Sequence, residues 1–161
     1  MSEANGPSRR RPFFLAGVTV GIGFGAVLDV IIFHLTFQTH HLFSGFYDPY
    51  SYDGLRTNVM FDGVFLLAMV AVTALGLGMV WRVVNRTDEA LSTLFLLGSI
   101  VVGMGLFNLV DGVVSHEVLD LHNVVHGTEA WNLPWIVVSV LMLALGFVLL
   151  KVAGDHRRGS N

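Results

Sequence analysis

Carboxylate and imidazole side chains recur at one spacing in this chain, each time at the end of a long apolar segment. The pattern Asp-x4-His-x5-His occurs at Asp29, His34 and His40 and again, in the second half of the chain, at Asp111, His116 and His122. Such groups are costly inside a bilayer and are rarely kept there without a use. Both groups bind transition metals, so the duplicated pattern predicts one paired metal site built by two related halves.

Further imidazole and carboxylate groups near the same end of the apolar segments complete the candidate site. We expect His34 and His116 to form a symmetric pair, with the later histidines folding back over it or forming a second site. His122 and His126, at positions i and i+4, would form a two-imidazole clip in a helical segment. The carboxylates would be ligands or would orient the imidazoles through hydrogen bonds. The predicted metal-binding residues are Asp29, His34, His40, His41, Asp62, Asp111, His116, His122 and His126.

Ideal α-helical geometry limits which of these groups a single helix can bring together. His34 is about 140° around the helix from Asp29. His40 is on nearly the same side as Asp29 but roughly 16 Å farther along the axis. His34, Gln38 and His41 would share one face. The sequence therefore predicts a site formed between helices rather than on one of them.

The available ligand types restrict the cofactor. The chain has no cysteine, which excludes disulfides, thiolate metal sites, iron–sulfur ligation and covalently attached c-type haem. Mixed imidazole and carboxylate ligands suit copper, zinc or non-haem iron, for metal handling, electron transfer or an oxidase-type reaction. A b-type haem is an alternative, with His34 and His116 as its axial ligands. A second alternative is a proton or cation relay through the same groups, although the inner halves of the apolar segments are almost wholly apolar.

The composition predicts an all-α, polytopic membrane protein. Of the 161 residues, 53% are hydrophobic and only 13% are charged, whereas an ordinary soluble domain carries about 25% charge. Each of four apolar segments approaches or exceeds the roughly 20 residues that a helix needs to cross the hydrocarbon core. These segments are 13–37, 60–81, 91–114 and 133–153. The fold class is therefore four transmembrane helices, arranged as two parallel helical-hairpin repeats.

The same patterns predict the domain organisation. Residues 1–12 are polar and basic, which is typical of a disordered tail. A single transmembrane domain follows at 13–153, with half-repeats at 13–84 and 91–153, and residues 154–161 form a second tail.

The distribution of charge predicts the orientation of the chain in the plasma membrane and its partners. Eight of the nine Lys and Arg residues lie in the two tails, in the connection between the second and third segments or, in the case of Lys151, at the end of the fourth segment. By the positive-inside rule, both termini are cytoplasmic and the histidines lie on the extracytoplasmic side. The net charge of −3 argues against nucleic acid. The expected partners are the lipid bilayer, a second copy of the chain or a membrane redox partner.

Three stretches resemble a family of small prokaryotic four-helix membrane proteins known only as a domain of unknown function. They are GIGFGAVLDVIIFHLTFQTHHLFSG, NVMFDGVF and GMGLFNLVDGVVSHEVLDLHNV, and they carry the Asp and His residues named above, except His126, together with Asn108. Members of that family often have paired histidines in the second copy, whereas here Asn123 follows His122. The resemblance implies an integral membrane protein and brings no established activity with it.

Overall fold

The regular elements of the protein are helices. The computed structural model describes residues 10–86 and 92–159, with side chains described as far as residue 155. The α-helices are α1 (Arg10–Asp29), α2 (Tyr52–Val84), α3 (Thr93–Val110) and α4 (Asn132–Gly159). Two π-helical segments, π1 (Val30–Thr36) and π2 (Asp111–Val118), continue α1 and α3 without a break.

The described ranges contain four helices that are long and apolar enough to cross a membrane, and this confirms the predicted all-α fold class with four membrane-spanning helices. They are Arg10–Thr36, Tyr52–Val84, Thr93–Val118 and Asn132–Asp155. Many large apolar side chains on α2 and α4 are exposed, among them Leu67 and Leu141. Since a bilayer solvates apolar surface, the exposed faces of these two helices suit contact with lipid.

The helix boundaries differ from the predicted ones where a helix extends into polar residues beyond its apolar segment. The second helix begins at Tyr52 rather than at residue 60, because the Ser51 side chain accepts a hydrogen bond from Gly54 N–H and caps it. The first helix begins at Arg10, inside the predicted tail, and residues 1–9 lie outside the described residues. The fourth helix continues to Gly159 through the predicted C-terminal tail, of which residues 160–161 are not described.

Helices α1 and α3 form the centre of the bundle and cross at glycines. A Cβ atom on Gly21 would lie 2.9 Å from the Cα of Gly103, and a Cβ on Gly103 would lie 2.9 Å from the Cα of Gly21. Only residues without a side chain allow the two backbones to approach this closely. Helix α2 packs on α1, and α4 packs on α3. The crossing therefore sets the distance between the two π-helical segments.

Each π-helical segment ends near a residue with left-handed backbone geometry. Gln38 has a φ of 52° and Asp120 has a φ of 48°. Such a residue ends a helix and turns the chain back. The predicted face shared by His34, Gln38 and His41 is therefore wrong, because the helix stops at Thr36. The predicted helical clip of His122 and His126 is wrong for a similar reason, since the described residues 119–131 belong to no helix.

Candidate metal centre

Four imidazoles pack together at the end of the bundle where π1 and π2 lie. The residues, here called the histidine cluster, are His34, His40, His116 and His122, and each is at most 3% exposed. The ring centroids are 4.4 Å apart for His34 and His40 and 4.6 Å apart for His116 and His122. The rings of His40 and His122 stack at 4.8 Å with 9° between their planes. The structure thus brings together the histidines of both sequence patterns.

The π-helical segments bring each aspartate to the histidine that follows it in the pattern. In a π-helix each backbone bond spans one residue more than in an α-helix, as in Phe37 N–H to Ile32 C=O at 2.8 Å. The Asp29 carboxylate lies 3.4 Å from Nε2 of His34, and Asp111 lies 3.0 Å from Nε2 of His116. The expectation that Asp29 and His34 lie on different sides of an α-helix is therefore wrong, because this segment is π-helical. Asp111 accepts a hydrogen bond from Nε2–H of His116 at its distance of 3.0 Å. Two ligands held about 2.1 Å from one ion are also about 3.0–3.4 Å apart at octahedral or tetrahedral angles.

His40 and His122 follow the turns and fold back into the cluster, each anchored by a backbone carbonyl of the opposite half. Nδ1 of His40 donates to the carbonyl of Val124 at 2.8 Å, and Nδ1 of His122 donates to the carbonyl of Leu42 at 3.0 Å. A carbonyl oxygen can only accept, so Nδ1 carries the hydrogen in both rings. The lone pair is consequently on Nε2. Both Nε2 atoms are buried and have no hydrogen-bond partner among the described residues.

The bonds that shape the two turns match at equivalent positions of the two patterns. Thr39 N–H donates to Phe33 C=O at 2.9 Å, and Leu121 N–H donates to Ser115 C=O at 2.8 Å. We call Asp29, His34 and His40 the first-half triad and Asp111, His116 and His122 the second-half triad. Each triad offers one carboxylate and two imidazoles.

Asp62 on α2 supports the first-half triad with three hydrogen bonds. It accepts from Nδ1 of His34 at 2.8 Å, from Nδ1 of His41 at 2.7 Å and from the backbone N–H of Leu42 at 2.9 Å. The carboxylate thereby fixes the orientation of two rings, as carboxylates near metal-binding histidines commonly do. Asp62 is fully buried. Its placement matches the orienting role that the sequence suggested for the carboxylates.

A neutral amide takes the corresponding position in the second half. The side chain of Asn132, at the start of α4, accepts from Val124 N–H at 3.1 Å and donates to Asn123 at 2.8 Å. Asn132 thus occupies in the second half the position that Asp62 occupies in the first half, and Asn123 occupies the position that corresponds to His41. Sequence reasoning missed Asn132, because the separation between Asp62 and Asn132 is shorter than the constant separation between equivalent residues of the two triads.

The remaining predicted ligands lie beside the cluster rather than in it. His41 is buried with Nδ1 directed at Asp62, and its ring lies 5.6 Å from that of His126. His126 is partly exposed and also contacts Tyr50, with the ring centroids 5.9 Å apart. Neither ring belongs to the two groups whose donor atoms all lie within 4.8 Å of one another. These groups are His34, His40 and His122, and Asp111, His116 and His122.

Burial keeps the folded-back histidines neutral. It lowers the pKa of His122 from 6.5 to about 4, against the opposing attraction of Asp111. Burial also lowers the pKa of His40, and the neighbouring His34 and His122 act in the same direction. A neutral imidazole is the form that binds a metal ion, so neither ring has to lose a proton before binding at neutral pH.

Comparison with known proteins identifies the family of the chain. Residues 16–153 match the family model described as predicted membrane protein (DUF2243). No curated protein and no solved structure matches the chain. The match reaches into all four helices and covers both triads, in agreement with the resemblance that the Asp and His patterns indicated. The chain therefore belongs to the DUF2243 family of predicted membrane proteins.

Proposed function

We propose that this membrane protein binds a transition metal, either copper, zinc or iron, in the histidine cluster and uses it for metal handling or redox chemistry. The observation that carries the proposal is the pair of buried, unpartnered Nε2 atoms of His40 and His122. A buried polar atom without a partner costs about 1–3 kcal/mol. A metal ion bound by these lone pairs would offset that cost.

The surroundings of these atoms support a metal more than another ligand. Each Nδ1–H is held by a backbone carbonyl, which is the arrangement that orients a metal-binding histidine. One aspartate per triad provides negative charge beside the imidazoles. The donor set of imidazole and carboxylate, without sulfur, suits zinc, copper(II) and non-haem iron.

We place the cluster at the extracytoplasmic end of the bundle. Arg10, Arg11, Arg82 and Lys151 lie at the opposite ends of the spans from the cluster. Arg56, near the start of α2, is at the cluster end. This excess of basic residues at the end of the bundle away from the cluster follows the positive-inside rule. Metal would then enter from the outer face, beside the acidic loop residues Asp48, Asp120 and Glu129.

The packing disfavours a b-type haem held by His34 and His116. The Nε2 atoms of these two rings lie beside Asp29 and Asp111, and Nδ1 of His34 donates to Asp62. Gly21 and Gly103 face each other, Gly23 faces α2 and Gly105 faces α4, so these glycines line no gap for a macrocycle.

The packing also disfavours a complete relay across one subunit. Hydroxyl side chains between the cluster and the far end of the bundle donate to carbonyls four residues back in their own helices. They are Thr19 to Leu15, Thr73 to Met69, Ser99 to Phe95 and Ser139 to Trp135. Their donors are consequently committed to local bonds, and these hydroxyls form no continuous chain.

The proposal is tested by measuring the metal content of the protein purified in detergent. Mass spectrometry is expected to find bound transition metal in the native protein and loss of it in the double variant His40→Ala/His122→Ala. His126→Ala is the matched control, because it removes an imidazole outside the cluster and should leave the metal content unchanged. Full metal content in the double variant would contradict the proposal, as would a haem absorption spectrum that disappears with the same substitutions.

A further inference from the structure

The two groups of candidate metal ligands share one histidine, so the number of ions that the cluster can hold depends on which group this histidine serves. His122 belongs both to the group with His34 and His40 and to the group with Asp111 and His116. Its Nδ1 is engaged with the Leu42 carbonyl, so only the single lone pair on Nε2 remains. One lone pair binds one ion. His122 can therefore serve only one of the two groups at a time.

The distances assign each folded-back histidine to its own half. The ring of His40 is 4.4 Å from that of His34 but 5.9 Å from that of His116. The ring of His122 is 4.6 Å from that of His116 but 5.8 Å from that of His34. With His122 assigned to the second half, the group of Asp111, His116 and His122 is complete, and His34 and His40 remain for the first half. The third donor of the first-half triad is then the Asp29 carboxylate, 3.4 Å from Nε2 of His34. Two imidazoles and one carboxylate hold an ion while leaving positions open for water or substrate.

The two triads differ in the groups that support them. Nδ1 of His34 donates to the Asp62 carboxylate, whereas Nδ1 of His116 is buried without a hydrogen-bond partner among the described residues. A carboxylate behind an imidazole makes it a stronger ligand and fixes its orientation, and losing such a partner typically lowers metal affinity about 10–100-fold. In the second half, Asn132 adds no charge.

We infer that the cluster holds two ions in unequal positions: a tightly bound ion in the first-half triad and a weaker, exchangeable ion in the second-half triad. The inference rests on the proposed function. The resident ion is stabilised by two carboxylates, Asp29 and Asp62, and the exchangeable ion by Asp111 alone. The open positions of the second ion then provide the place where metal is delivered, removed or brought to a substrate.

The test is a Zn²⁺ titration of the metal-free full-length protein in detergent, with bound zinc counted by mass spectrometry and affinities measured by calorimetry. We expect two zinc ions per chain with dissociation constants that differ about 10–100-fold. His34→Ala should remove the tighter event and leave the weaker one. His116→Ala should do the reverse, and the control variant His126→Ala should retain both.

A reciprocal pair of substitutions tests the cause of the inequality. Asp62→Asn should weaken the tighter event toward the affinity of the weaker one, whereas Asn132→Asp should strengthen the weaker event. If Asp62→Asn fails to fold, as judged by thermal unfolding, Asn132→Asp and the two single histidine variants still decide the question.

The outcomes separate this inference from the function on which it rests. One zinc ion per chain, two equal affinities, or loss of all binding in both single histidine variants would overturn the inference and leave a metal-binding protein. Absence of any binding in the native protein would overturn the proposed function and the inference together.

Discussion

Substitution of Gly103 tests whether the close crossing of α1 and α3 positions the two triads. A Cβ atom at Gly103 would lie 2.9 Å from the Cα of Gly21 and still closer to the carbonyl oxygen of Val18. Ordinary van der Waals contact begins near 3.4 Å. Gly103→Ala must therefore push the helices apart by about 0.5–1 Å, and overpacking of this kind costs about 1–3 kcal/mol.

The helix preference of alanine offsets part of that cost. Alanine is favoured over glycine in a helix by about 1 kcal/mol. The matched control is Gly63→Ala on α2, where the added Cβ meets no atom within 4 Å. For a chain of this size, a change of about 1 kcal/mol corresponds to about 2–4 °C in melting temperature. We expect Gly103→Ala to melt several degrees below the native protein and Gly63→Ala to melt at or above it.

The assay combines thermal unfolding in detergent, followed by circular dichroism, with the Zn²⁺ titration. Because a shift of about 1 Å loosens a preorganised site, Gly103→Ala should also weaken zinc binding. Equal melting temperatures for Gly103→Ala and Gly63→Ala would refute the reasoning that the glycine crossing is close-packed. A lower melting temperature with unchanged zinc affinity would refute the link between the crossing and the site.

Three further predictions follow from individual residues and from the centre. The folded metal-free protein should lose stability as the pH falls from about 6.5 to about 4, because His122 in the unfolded chain binds a proton near pH 6.5 whereas the folded residue binds one only near pH 4. This residue contributes at most about 1.4 kcal/mol per pH unit to the pH dependence of the free energy of unfolding. In His122→Asn, the melting temperature should therefore depend less steeply on pH across this range. An identical pH dependence in that variant would contradict the assignment. Ser51→Ala should destabilise the protein by about 1 kcal/mol, because it removes the side-chain oxygen that caps α2. An unchanged melting temperature in Ser51→Ala would show that the cap contributes little. Removal of the metal with a chelator should lower the melting temperature of the native protein, since an ion at about 100 times its dissociation constant stabilises the fold by about 2.7 kcal/mol; the double variant His40→Ala/His122→Ala should show no such shift.

The transmembrane architecture was predictable from the sequence because its causes are local. A run of apolar residues long enough to cross a bilayer is recognisable without knowledge of what packs against it. The six residues of the two triads were also recognisable, since charged and imidazole groups stand out inside apolar segments. The helix ends were less predictable. Polar residues at the start of α2 gave no hydropathy signal, and only the cap at Ser51 marks its beginning.

The geometry of the centre was decided by the tertiary structure. Whether a segment forms α-helical or π-helical backbone bonds depends on how it packs, so the sequence alone did not show that Asp29 would reach His34. Gln38 and Asp120 turn the chain back, and carbonyls of the opposite half then orient His40 and His122.

The difference between the two halves also became visible only in the fold. Asp62 and Asn132 are separated from their triads by connections of different length, so no fixed spacing relates them. Their equivalence lies in the backbone N–H groups from which they accept hydrogen bonds, which belong to residues on another part of the chain. The sequence by itself determined which side chains stand at the membrane end of the helices. The tertiary structure decided which of their polar atoms have hydrogen-bond partners and which, such as Nε2 of His40 and of His122, have none among the described residues, because that depends on hydrogen bonds between distant segments.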